Sequence, residues 1–241
     1  MTTRRILATS GGFLPTDRWN VARPGGLMTE ALRLTGKSRP RLTLVMTASG
    51  DDRGYLLRTY SAFSGWSVDL QHLELFSQPN LEPRDAILGS DVVWVGGGSV
   101  ANLLAVWRVH GLDALFAEAW DAGIVLAGVS AGSLCWHVGG TTDSFGPHLR
   151  AVTDGLALLP YGNGVHYDSE AQRRPLLHSL VAEGTLPLSY ATDDGIGLLY
   201  EGVEPVAVVS DEPVADDGSA AYRVERVGTE VVETRLGVGE V

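Results

Sequence analysis

The chain has 241 residues, of which 44% are hydrophobic and 20% charged, and a formal net charge of −11. That acidity argues against non-specific binding to a nucleic-acid backbone, and the single cysteine, Cys135, excludes an intramolecular disulfide. No apolar run approaches the ~20 residues that cross a bilayer. The expectation is therefore a soluble, cytoplasmic protein with no nucleic-acid or membrane partner, organised as one domain over residues 1–241.

The first two-thirds of the chain alternates strand-like and helix-like patterns. Residues 5–9 read as a short strand ending in Gly11-Gly12, and residues 26–34 as a helix. The apolar run Leu42–Thr47 reads as a strand buried on both faces. A helix over 53–64, a strand over 68–75 and a helical turn over 85–88 lead to a second buried strand, Val92–Val95 (VVWV). Helices over 99–109 and 113–122 precede the strand 124–128, and a further helix is predicted over 130–138. This βαβ rhythm implies a three-layer α/β fold, with a mostly parallel sheet between helices.

Beyond about residue 150 the pattern changes to short strands at 155–159, 188–192, 197–200 and 206–209. One amphipathic helix falls at 175–183, with Pro175 at its tolerated first position. Residues 221–227 and 231–236 pair around Gly228-Thr229 as a C-terminal hairpin, spanning about 219–238 with its flanks.

The sharpest motif is Gly128-Val129-Ser130-Ala131-Gly132, a GxSxG sequence placed after an apolar strand and before a helical segment. Such a turn strains its central residue and lifts the serine hydroxyl out of the sheet edge, forming a nucleophile elbow. It also puts the Ala131 N–H at a helix start, where an oxyanion is stabilised. Gly96-Gly97-Gly98 follows VVWV and precedes a helix, so its side-chain-free backbone can approach a ligand. Gly98 is the expected second oxyanion donor.

A serine nucleophile needs a base. His72, His110, His148 and His178 lie on a strand, a helix end, a polar loop and a helix respectively. His137 is predicted on the Ser130 helix, about two turns (~10 Å) away. His166 sits in Gly162-Asn163-Gly164-Val165-His166-Tyr167-Asp168, a loop after a strand-like segment, and is the expected base. Two acids compete to orient it. Asp143 follows Thr141-Thr142, and Asp194 lies in Thr192-Asp193-Asp194-Gly195. An α/β-hydrolase esterase would carry its histidine far downstream, yet no histidine follows His178.

Taken together, VGGGSVANLL, AGVSAGSLCW, the Thr-Thr-Asp segment and GNGVHYDSEAQRRP resemble the peptidase E family over about residues 5–210. That family comprises aspartyl dipeptidases and their relative cyanophycinase, on a fold similar to class I glutamine amidotransferases. The resemblance implies Ser130 as nucleophile, His166 as base, and Gly98 and Ala131 as oxyanion donors. It matches Asp143 to the dipeptidase acid, while cyanophycinase-like members point to an acid near Asp194. It implies hydrolysis of small peptides, namely dipeptides with an N-terminal aspartyl residue read by Arg173 or Arg174. The alternative is a cyanophycinase-like β-aspartyl peptidase, or a broader peptidase or esterase without strict Asp preference. Ser99 stands where the dipeptidases carry asparagine, Val165 replaces a proline, and Glu170 is a rival for the place of the substrate-reading arginine. No cofactor or metal is expected, Cys135 reads as a core residue, and the chain is expected to be a monomer or homodimer.

Overall fold

The computed structural model describes residues 3–241. In chain order the first elements are β1 (Arg5–Thr9), β2 (Phe13–Pro15), β3 (Ala22–Pro24), α1 (Gly26–Arg33), β4 (Arg41–Val45), α2 (Arg53–Ala62), β5 (Asp69–Leu73) and α3 (Pro83–Leu88). There follow β6 (Val92–Val95), α4 (Val100–His110), α5 (Leu112–Ala122), β7 (Val125–Val129), α6 (Ala131–Leu134), β8 (His137–Thr142), β9 (Arg150–Val152) and β10 (Leu159–Gly164). The last third contains α7 (Arg173–Glu183), β11 (Ser189–Thr192), β12 (Ile196–Glu201), β13 (Glu204–Ser210), β14 (Ala221–Val227), β15 (Glu230–Leu236) and β16 (Gly239–Glu240).

Eight strands form the larger sheet in the order β16-β13-β12-β1-β7-β6-β4-β5. The run from β1 to β5 is parallel, and β12, β13 and β16 extend it antiparallel. The strand residues alternate between two cores, as a period of two demands. Leu7, Leu42, Leu44, Val92, Trp94, Val125 and Ala127 face α1 and α2. Ile6, Ala8, Val45, Val93, Val95 and Leu126 face a core containing Trp107, Phe116 and Trp136. This is the layered α/β arrangement that the sequence predicts. Among the described residues, no single helix is long and apolar enough to cross a membrane.

A second sheet, six strands in the order β15-β14-β11-β10-β8-β9, was not anticipated as a separate unit. Its central strands β8, β10 and β11 are parallel and its flanks antiparallel. It takes in residues assigned from sequence to the helix 130–138. That helix stops after one turn, at Leu134, and His137 starts β8 instead. The physical reason is close strand approach. A Cβ at Gly139 would lie 2.1 Å from the Val152 carbonyl oxygen, and one at Gly140 would lie 2.1 Å from that of Asn163. The β-branched Thr141 and Thr142 that follow favour the strand further. The C-terminal hairpin forms as expected, with β14 and β15 paired from Ala221↔Leu236 to Val227↔Glu230. The small β2–β3 hairpin has no counterpart in the sequence reading.

Candidate active site

Ser130 follows β7 with φ 57° and ψ −111°, a left-handed conformation that a side-chain-bearing residue rarely adopts. Sterics impose the turn. A Cβ at Gly132 would sit 2.2 Å from the Val95 carbonyl oxygen, and one at Gly128 would sit 2.5 Å from that of Gly132. Only glycine at both positions lets the elbow press against β6. The Ser130 carbonyl accepts N–H bonds from Ser133 and Leu134, both at 2.9 Å, so α6 starts directly after the nucleophile position. Ala131 is then the first helical residue, and its N–H has no partner within the helix.

The strand order places the remaining groups. β7 lies between β6 and β1, so the loops after these two strands flank Ser130, as ligand-binding loops do at the carboxyl ends of parallel strands. On the β6 side is Gly96-Gly97-Gly98. A Cβ on Gly97 would lie 3.3 Å from Ser130 Cβ, so this loop runs against the serine. Gly98 has φ +135°, and a Cβ there would meet the Ala48 carbonyl oxygen at 2.3 Å. The Ser99 N–H is bonded to that same carbonyl at 2.9 Å, so it is unavailable to a ligand.

On the β1 side, Thr9 and Ser10 hold both halves of the site. The Thr9 carbonyl accepts the Ser130 N–H at 3.0 Å. The Ser10 hydroxyl accepts the His166 N–H at 3.1 Å and bonds the Thr192 hydroxyl at 2.7 Å. Two consecutive residues thus tether the elbow, the histidine loop and the end of β11. The sequence reading missed this role. The available signal was Thr-Ser-Gly-Gly at the end of a strand adjacent to the elbow strand.

His166 also takes a positive φ, 52°. Its Nδ1 lies 2.5 Å from Asp194 Oδ1. The Asp194 N–H is in turn bonded to Asp168 Oδ1 at 2.9 Å, and the Tyr167 N–H to the Thr192 carbonyl at 3.2 Å. Among the described residues His166 Nε2 has no hydrogen-bond partner, which leaves that nitrogen available.

β10, which leads to His166, lies between β8, which leads to Asp143, and β11, which leads to Asp194. Both acids therefore flank the histidine strand, one on each side, and the imidazole turns toward β11. Of the two acids expected from sequence, the imidazole contacts Asp194 and not Asp143. The Asp143 carboxylate is 61% exposed, and its nearest charged partner is Arg173, at 3.9 Å.

The arginines expected to read substrate are otherwise engaged. The Arg173 side chain is only 2% exposed, bonded through Nε to Glu170 at 2.8 Å and through a terminal nitrogen to the Thr141 carbonyl. Arg174 bonds Glu233 at 2.5 Å and lies over the rings of Tyr167 and Tyr222. Glu170 is thus a partner of Arg173, not its replacement.

The other histidines have separate surroundings. His137 is fully buried, with Nδ1 bonded to the Ser133 carbonyl at 2.9 Å, and burial pulls its pKa down to about 4. His72 bonds the Tyr60 hydroxyl at 2.8 Å, and His178 bonds Glu233 at 2.8 Å. Cys135 is fully buried, and desolvation pushes its thiol pKa well up, consistent with an inert core residue.

A mostly parallel sheet with a core on each face, a strained serine at a strand-to-helix turn and an imidazole–carboxylate pair tethered to the adjoining strand end are the features of a serine-type hydrolase. The family model described as Peptidase family S51 matches residues 6–206, and the chain belongs to that family of serine-type peptidases. It is 36% identical over 235 residues to "Uncharacterized peptidase YgaJ" of Bacillus subtilis (strain 168), covering 98% of each chain. Its fold is similar to that of a peptidase from an acI-B1 Actinobacterium, with TM-score 0.68 and 17% identity over 99% of this chain and 96% of the other. It is also similar to that of a "Putative Peptidase E Protein" from Listeria monocytogenes EGD-e, with TM-score 0.60 and 17% identity over 88% and 100%.

Proposed function

We propose that the chain is an exopeptidase for small peptides, acting through Ser130, His166 and Asp194 and an acyl-enzyme. The observation that carries this reading is the 2.5 Å contact between His166 Nδ1 and Asp194, with the His166 N–H tied to Ser10 directly after Thr9, whose carbonyl holds the Ser130 elbow. Asp194 fixes the imidazole so that Nε2 faces the reaction, and it stabilises the imidazolium without taking its proton. His166 Nε2 accepts the Ser130 proton as Oγ attacks the scissile carbonyl. The N–H groups of Ala131 and Gly98 receive the oxyanion. The imidazolium then protonates the leaving amine as the C–N bond breaks. Water, deprotonated by the same nitrogen, releases the acyl group and restores the serine.

For specificity, the structure favours the broader alternative over a strict aspartyl requirement. Reading a substrate carboxylate calls for an uncommitted guanidinium, and Arg173 and Arg174 are each already bonded to a glutamate. A panel of Asp-, Glu-, Leu- and Ala-anilides tests this. Comparable kcat/KM across the panel is expected, and turnover confined to the Asp-anilide overturns it. A serine-reactive fluorophosphonate tests the mechanism, since it should label the wild type and spare Ser130→Ala.

A further inference from the structure

The two loops that carry His166 and Asp194 are tied together a second time, behind the imidazole–carboxylate contact. Tyr167, next to His166, donates its hydroxyl to Glu233 at 2.8 Å. Tyr222 donates its hydroxyl to Asp193, next to Asp194, at 3.1 Å. Between the two rings lies the Arg174 guanidinium, 4.4 Å from the Tyr167 centroid and 4.6 Å from that of Tyr222, with one nitrogen on Glu233. A guanidinium over an aromatic face is held by the negative face of the ring. Planarity lets one guanidinium serve both rings and still present its edge to a carboxylate.

The Asp193 side chain is 3% exposed, and its Oδ1 has no hydrogen-bond partner among the described residues. Burial raises the pKa of its carboxyl, while the Ala220 N–H, the Tyr222 hydroxyl and the charge of Arg174 pull it back. The guanidinium therefore also supplies charge to the segment that carries the acid.

We propose that Arg174 is a positioning residue, a clamp that joins the histidine loop through Tyr167 to the acid loop through Tyr222 and Asp193, with Glu233 of the C-terminal hairpin as its anchor. The inference rests on the reading of His166 and Asp194 as base and orienter. It gives the arginine first expected to touch substrate a different task, and it gives the hairpin a part in catalysis.

The test compares Arg174→Met, which keeps an apolar stem between the rings, with Arg174→Lys and with Glu233→Gln, which removes the anchor while leaving Arg174 in place. The readouts are kcat and KM per folded molecule and the NMR resonance of the proton between His166 Nδ1 and Asp194. In Arg174→Met, kcat should fall about 10–100-fold with KM within about twofold, the size of loss that follows from misplacing a base by a fraction of an ångström. That resonance should broaden or move upfield, because a loosened Asp194 holds the shared proton less firmly. Arg174→Lys should be intermediate, and Glu233→Gln should shift both readouts in the same directions as Arg174→Met. A rise in KM alone means that Arg174 reads substrate and overturns the proposal. So does a lowered Tm with kcat and the His166–Asp194 proton resonance unchanged, which is a purely structural role. Failure of the underlying triad reading shows separately, as fluorophosphonate labelling that survives in Ser130→Ala.

Discussion

The elbow at Ser130 and the pair His166–Asp194 are built by different physics. The elbow is local. Five consecutive residues, with glycines where Val95 and Gly132 leave no room for a Cβ, dictate the turn and the strained φ of the serine. The pair is not local. Its members are 28 residues apart, in the loops after neighbouring strands of a second sheet, and side-chain contacts decide which acid meets the imidazole. A backbone motif constrained by sterics announces itself in sequence, whereas a choice between two carboxylates flanking one strand is made only in three dimensions.

The comparison breaks most visibly at the nucleophile. Ser130→Ala should lower kcat/KM by about 10⁴-fold or more while leaving the fold intact, since members of a triad act as a unit. Purified variant with substantial anilide hydrolysis contradicts it. Next in size, Gly132→Ala attacks the sterics of the elbow. A methyl group 2.2 Å from a backbone carbonyl oxygen must displace β6 or the turn, at a cost of at least about 1–3 kcal/mol. Chemical denaturation should show that loss together with a fall in fluorophosphonate reactivity, and a variant as stable and reactive as wild type refutes the steric account.

The third prediction concerns the junction of the two regions. His137 begins the second sheet seven residues after Ser130, and burial holds its pKa at about 4 against an ordinary 6.5. The folded state therefore favours the neutral imidazole. That contribution is fully present above pH ~6.5, declines as the unfolded chain takes up the proton, and is gone once pH falls through about 4. Its full size is about 3 kcal/mol. Stability measured across this window should fall toward acid, and His137→Gln should flatten the fall. An equal slope in the variant assigns the acid sensitivity to other groups.

Much of the larger sheet was legible because its strands are continuous apolar runs buried on both faces, as in Val92–Val95. The helices α4 and α5 were placed to within a residue of their observed starts. The second sheet was less legible for a physical reason. Its strands β8 and β10 carry glycine pairs and a proline, which read as turns or as a helix continuation until a partner strand supplies close contacts. The triple-glycine loop and the histidine stood out in the sequence because each follows a strand and is punctuated by glycine. The tether at Ser10 and the engagement of Arg174 with Glu233 depend on partners 156 and 59 residues away, and no local pattern encodes them.

The central claim is that the imidazole is oriented by the acid on one side of its strand and not by the acid on the other. The rate of fluorophosphonate labelling, followed by intact mass in Asp194→Asn and Asp143→Asn side by side, tests it most directly. The account predicts that Asp194→Asn labels about 10²–10⁴-fold more slowly than wild type, while Asp143→Asn stays within about threefold, as for an exposed surface change. The reverse ranking, with Asp143→Asn slow and Asp194→Asn normal, would contradict it.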